Sequence, residues 1–206
     1  MQIETSMNPP ENCRNYMMWI DGVGAWQLAV GTTFVLGAES SEEKAADISF
    51  LANISRRHAT LSLRGRDWLL SPHQSTTVCG KTAESKVLLQ SGDSICLAKR
   101  VQLGFRVPSE LSSSAVLDFE SDHRPTHSVD GIILMTDHCL LGPRRDDHVY
   151  CSDWPDRVIL FQKSGKLMCR SRSPVAVDGK AIRDSTTLEH GNVVSGENIR
   201  FRIEEI

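Results

Sequence analysis

The chain has 206 residues, 40% of them hydrophobic and 24% charged, with a formal net charge of -3. Those values exclude a chain disordered throughout, and the near-neutral charge argues against bulk binding to nucleic acid or to an anionic membrane. No apolar run approaches the roughly 18 residues of a membrane-spanning helix, and Met1-Gln2-Ile3-Glu4-Thr5 lacks the basic start and apolar middle of a signal peptide, so a cytoplasmic location is expected.

Residues 1–14 carry Pro9-Pro10 and no hydrophobic period, which predicts a flexible lead-in. Order is expected from about Tyr16. Met17-Met18-Trp19-Ile20, Ala25-Trp26-Gln27-Leu28-Ala29-Val30 and Thr33-Phe34-Val35-Leu36 read as short strands separated by glycine turns. Ala59-Thr60-Leu61-Ser62-Leu63 alternates as a half-buried strand does, and Trp68-Leu69-Leu70, Val87-Leu88-Leu89 and Phe105 supply further core. No stretch of ten or more residues shows a helical period. Residues 108–127 are polar, rich in serine and marked by proline, the composition of a linker; Ala115-Val116-Leu117-Asp118-Phe119 inside them suits a strand that ends the first domain or joins the second. The expected fold class is all-β: two tandem domains of antiparallel strands, 15–107 and 128–206, each a β-sandwich or barrel, joined by a polar linker.

A shift of 99 positions aligns Leu61 with Leu160, Val78 with Val177, Gly80-Lys81 with Gly179-Lys180, Leu89 with Leu188 and Gly92 with Gly191. Leu36-Gly37 finds a counterpart in Leu141-Gly142, and a shorter final turn sets Phe105 opposite Phe201. The second half therefore reads as a shortened copy of the first, lacking an initial hairpin.

Six cysteines stand singly, mostly in strand-like text, as small buried hydrophobes do in a reducing compartment. There is no Cys-x-x-Cys, and His138-Cys139 with His148 and Cys151 is too irregular for a ligand set, so neither a metal nor another cofactor is expected. Catalysis is not expected either. No Gly-x-Ser-x-Gly elbow surrounds Ser55, and no Gly-rich phosphate loop opens a helix.

Chemistry concentrates in Ile54-Ser55-Arg56-Arg57-His58-Ala59-Thr60, where a hydroxyl, two guanidiniums and an imidazole crowd a turn that feeds a strand. Hydroxyl and fork-shaped guanidinium donors suit a dianionic phosphate, because charge-assisted bonds are short and strong. Together with Leu36-Gly37, Trp68-Leu69-Leu70, Val78-Cys79-Gly80-Lys81, Leu89-Gln90-Ser91-Gly92-Asp93-Ser94-Ile95 and Phe105, this turn resembles the forkhead-associated (FHA) domain over residues 16–107. That resemblance implies a sandwich of about eleven strands that binds phosphothreonine peptides through loops at one end. It makes Ser55 the phosphate-binding serine, Arg56 the position after it, His58 a structural histidine and Gly37 the loop glycine. Laid on the family's later loop, His73, Gln74 and Ser75 complete the peptide-binding set.

Three features depart from the family. Residue 38 is alanine where the family has an arginine, a loss of about 1.5–3 kcal/mol toward a group of about -1.5 to -2 charges. Gln74 replaces an asparagine, and Glu39, Glu42 and Glu43 crowd the loop beside the expected phosphate. In the second half Trp154, Pro155 and Arg157 stand opposite Ser55, Arg56 and His58, so no phosphate pocket is expected there; Arg144, Arg145, Trp154 and Arg157 are candidate protein contacts instead. Equally, Trp154 can pack in its own core, and Ser55 and His58 can serve only to tie down the turn. The expected function is non-catalytic protein binding, phosphothreonine-dependent through the first domain, or else a phosphate-independent scaffold or self-associating module. No nucleic acid or membrane partner is expected.

Overall fold

The structure, a computed structural model, describes residues 13–40 and 46–206. All but Cys13 and Arg14 of the expected lead-in falls outside these residues, as do Glu42, Glu43 and Lys44. Every regular element among the described residues is a strand. The first half runs β1 (Arg14–Ile20), β2 (Gly24–Val30), β3 (Thr33–Ala38), β4 (Ile48–Phe50), β5 (Ala59–Arg64), β6 (Asp67–Pro72), β7 (Thr76–Val78), β8 (Lys81–Thr82), β9 (Val87–Leu89), β10 (Ser94–Leu97) and β11 (Val101–Arg106). The second half runs β12 (Ala115–Phe119), β13 (Gly131–Met135), β14 (His138–Gly142), β15 (Val149–Tyr150), β16 (Val158–Lys163), β17 (Lys166–Ser171), β18 (Val175–Val177), β19 (Lys180–Ala181), β20 (Ser185–Thr187), β21 (Val193–Gly196) and β22 (Arg200–Glu205).

One 12-stranded sheet runs through the molecule in the order β19-β18-β21-β22-β1-β2-β13-β12-β11-β10-β7-β8. Two five-stranded sheets, β4-β3-β5-β6-β9 and β15-β14-β16-β17-β20, pack against it. Successive residues of a strand point to opposite faces, and the central strands obey this with apolar residues on both sides. Met17, Ala29, Leu117, Ile132 and Leu134 join Phe34, Leu61 and Trp68 in the first core. Tyr16, Met18, Leu28, Val30, Val116 and Ile133 join Leu141, Leu160 and Phe201 in the second. The small sheets therefore lie on opposite faces of the large one. Continuous apolar runs such as Ile132-Ile133-Leu134-Met135 follow from that placement, since a strand covered on both faces has no polar side to show.

The two sandwiches are thus joined by a shared sheet as well as by a connection. The first two strands, β1 and β2, lie beside β22 and close the second sandwich; β12 and β13 lie beside β11 and close the first. β2 and β13 meet in parallel, Trp26 beside Gly131 through Val30 beside Met135. The expected boundary at 108–127 runs through β12, and the hairpin expected to be missing from the second half is present as β12 and β13, paired from Ala115 with Leu134 to Asp118 with Gly131.

Local geometry recurs at the shift read from the sequence. Cys79 and Gly80 have φ of 48° and 76°, and Asp178 and Gly179, 99 positions on, have 47° and 77°. Both pairs form two-residue hairpin turns of the kind that needs positive φ at each central residue. The final hairpin differs from the expected alignment. Leu103 pairs with Ile95 as Phe201 pairs with Val194, so Phe201 stands where Leu103 does, and Phe105 corresponds to Ile203.

Ordered serines explain why 108–114 reads as linker and is not loose. Ser112 Oγ donates to Asp137 Oδ1 at 2.5 Å and lies 2.7 Å from the His138 carbonyl; Ser114 Oγ donates to Asp137 Oδ1 at 3.1 Å, and the Ser113 N–H to Oδ2 at 3.2 Å. Trp68 of the first core donates its indole N–H to the Ser113 carbonyl, 2.9 Å. Burial alone would raise the Asp137 carboxyl, but the bonds from Ser112, His138, Ser113 and Ser114 hold it below the ordinary carboxylate range. Asp137→Ala orphans several of these donors and is expected to cost about 1–3 kcal/mol, read as a lowered urea midpoint with unchanged slope.

Candidate functional site

The end of β3 and the connection into β5 meet at Gly37. A Cβ there would stand 1.9 Å from the Arg56 carbonyl oxygen and 3.0 Å from that of Ser55, so only glycine lets the turn lie this close. Beside it, the Ala38 N–H donates to the Ser55 carbonyl at 3.0 Å.

His58 is 2% exposed and joins three segments. Its N–H donates to the Leu36 carbonyl in β3 at 2.8 Å, and its carbonyl accepts from the N–H groups of His73 and Gln74 at 2.9 and 3.1 Å. Its Nδ1 accepts from the Ser55 N–H at 3.3 Å, which leaves Nε2 to donate to the Ser75 carbonyl at 2.9 Å. One buried imidazole therefore fixes the Ser55 turn against the 73–75 loop. His73 Nε2 lies 2.8 Å from Thr60 Oγ1, a partner the sequence reading did not include.

The structure brings Ser55, Arg56, Arg57, His73, Gln74 and Ser75 to this one edge of the first sandwich. Ser55 is half-buried and the other five are exposed. The shelf thus gathers a serine, two exposed arginines and the backbone of two loops. Asp47 modifies it: burial raises this carboxyl above its ordinary range, against the Val35 N–H bond of 2.7 Å and the positive charge of Arg57. Arg57 thus already faces a carboxylate. The methyl of Ala38 puts no cation at the corner where the resemblance expects one.

The matching corner of the second half is built otherwise. A Cβ on Gly142 would meet Arg157 Cγ and Asp147 Oδ2, each at 2.9 Å. Arg157 Nη2 donates to Asp146 Oδ1 at 2.8 Å, while its Nε stands 2.5 Å from Asp147 Oδ1 in an ion pair that lacks hydrogen-bond geometry. Burial raises the Asp147 carboxyl, although the Arg144 N–H and the Arg157 charge oppose it. The imidazole of His148 takes the place that the Asp47 carboxylate has in the first half. It brackets Leu140, accepting that residue's N–H at Nδ1 (3.0 Å) while its own N–H donates to the Leu140 carbonyl (2.9 Å). Burial holds His148 neutral, lowered to about 4.

Among the candidate contacts, Trp154 is corrected. Its side chain is 4% exposed and stacks on Phe201 with centroids 6.1 Å apart, so it is core and no surface anchor. Arg157 is half-buried against its two aspartates, whereas Arg144 and Arg145 are exposed. All six cysteines are free thiols. Burial raises Cys151 and Cys169 to about 12, which leaves them unreactive. Sequence reasoning missed Arg170, Arg172 and Arg183, which join Arg144 and Arg157 around one cleft. The available signal was Arg170-Ser171-Arg172, whose alternate residues share a face.

No family model matches the chain, and no curated protein matches it in sequence. Among solved structures it is similar to the N-terminal FHA domain from EssC, a component of the bacterial Type VII secretion apparatus, with 10% identity, 92% of each chain covered and a TM-score of 0.26. At that TM-score the likeness carries no argument about the site, whose interpretation rests on the turn and loop geometry above.

Proposed function

We propose that the chain is a non-catalytic protein-interaction module of the cytoplasm whose first sandwich recognises phosphothreonine segments through Ser55, Arg56, Arg57, His73, Gln74 and Ser75, and whose second sandwich is a degenerate relative of the first. The observation that carries this reading is the buried His58 imidazole bonded to both the Ser55 N–H and the Ser75 carbonyl. It fixes the two peptide-facing loops before a ligand arrives, so binding does not spend free energy on ordering them. Arg56 and Arg57 are the residues to which the phosphate affinity is assigned, Arg57 acting also on the Asp47 carboxylate.

The test is a fluorescence-anisotropy titration of the full chain with a phosphothreonine peptide pool and its unphosphorylated counterpart. Phosphate-dependent binding is expected, lost in Ser55→Ala/Arg56→Ala. Ala38→Arg supplies a guanidinium fork at the Ala38 corner and is expected to tighten binding by about 1.5–3 kcal/mol, tenfold to a hundredfold. Equal affinity for both pools, unmoved by either variant, contradicts the reading and leaves a phosphate-independent scaffold or self-association.

A further inference from the structure

The second sandwich carries a cleft of about 530 Å³ on the outer face of its five-stranded sheet. Its floor follows from strand register. Leu140 of β14 pairs with Ile159 of β16, which pairs with Arg170 of β17, so the three side chains form a row across the sheet. Leu140, Ile159 and the 73%-exposed Leu111 are apolar, while Arg144, Arg157, Arg170, Arg172 and Arg183 bring five guanidiniums to the same space against Asp156 and Asp184.

These charges are only partly spent within the fold, where the Arg170 guanidinium lies over the Phe161 ring at 5.7 Å from its centroid. Arg157 pairs with Asp146 and Asp147, but Arg144, Arg170, Arg172 and Arg183 have no ion pair among the described residues. Several guanidinium forks around one space match an anion with more than one charge and several oxygens. An apolar floor and a volume within the range of small-molecule sites ask for a carbon body behind that anion.

We propose that this cleft binds a phosphate ester on a short carbon body, either a phosphorylated side chain of a protein segment or a free small organic phosphate. The site is separate from the Ser55 shelf and does not depend on it. Arg170 and Arg172, two residues apart and exposed at the end of β17, hold the phosphate; Leu140 and Ile159 take the carbon body.

Amide chemical-shift mapping on the full chain tests this with phenyl phosphate, inorganic phosphate and a short phosphothreonine peptide as separate probes. Phenyl phosphate is expected to shift residues 142–144, 157–159, 170–172 and 183–184 and to bind more tightly than inorganic phosphate. Arg170→Gln/Arg172→Gln, both exposed and tolerable to the fold, is expected to weaken binding about tenfold or more while leaving shifts at 54–57 and 73–75 intact. Tighter binding of the peptide than of phenyl phosphate identifies a protein segment as the source, and the reverse a free phosphate. Silence of the cleft residues at millimolar probe, or cleft binding unchanged in the double variant, overturns the proposal. Shifts confined to 54–57 and 73–75 overturn it too while sparing the Ser55 shelf, whereas shifts confined to the cleft do the opposite.

Discussion

Divided between residues 107 and 128, the chain is expected to give two fragments neither of which folds. The second fragment loses Tyr16, Met18, Ile20, Leu28 and Val30 from its core and β1 from the edge of β22. At about 1.5–3 kcal/mol for each buried side chain, that loss rivals the whole stability of an ordinary domain, about 5–15 kcal/mol. The first fragment loses Ala115, Leu117, Ile132 and Leu134 and exposes the edge of β11. Circular dichroism and amide shift dispersion are expected to show unfolded or aggregated fragments, and the intact chain to melt in one transition. A folded fragment 1–107 with a cooperative melt would show that the shared strands are dispensable.

His58→Ala is expected to be the most damaging single change at the shelf. It empties a buried site and orphans the Ser55 N–H and the Ser75 carbonyl. Unsatisfied buried groups cost about 1–3 kcal/mol each, so a loss of roughly 3–5 kcal/mol is expected, together with loss of phosphopeptide binding. Gly37→Ala acts on the same loop by a different route, because the new methyl must displace the Arg56 carbonyl. Its expected signature is weaker peptide binding accompanied by altered amide shifts at residues 54–57. If His58→Ala keeps full stability, the imidazole does not tie the loops together.

Much of this architecture is written locally. The alternation of β5, the glycine turns and the Ser55-x-x-His58 turn are each properties of adjacent residues, so sequence reasoning reaches them. Strand neighbours are not local: period-2 patterning says which face a residue takes and not which strand lies beside it. The exchange of β1 and β2 for β12 and β13 was therefore hidden, although Leu28-Ala29-Val30 and Ile132-Ile133-Leu134-Met135 already carried the mark of strands covered on both faces. The serines of 108–114 were misleading because composition counts a hydroxyl as solvent-loving, whereas here Ser112 and Ser114 are buried with their hydroxyls bonded to a half-buried Asp137. The arginine cleft draws on residues from 144 to 183, and only strand register brings Leu140, Ile159 and Arg170 into line. Trp154 illustrates the opposite case, a residue whose type suits an interface but whose position places it against Phe201.

The most direct measurement is an amide shift map of the full chain on addition of a phosphothreonine peptide, with the unphosphorylated peptide as reference. Saturable shifts at residues 54–57 and 73–75 that appear only with the phosphate are the predicted result. Absence of phosphate-dependent shifts in both segments at millimolar peptide would contradict the account, since a shelf fixed by His58 would then have no anion to hold.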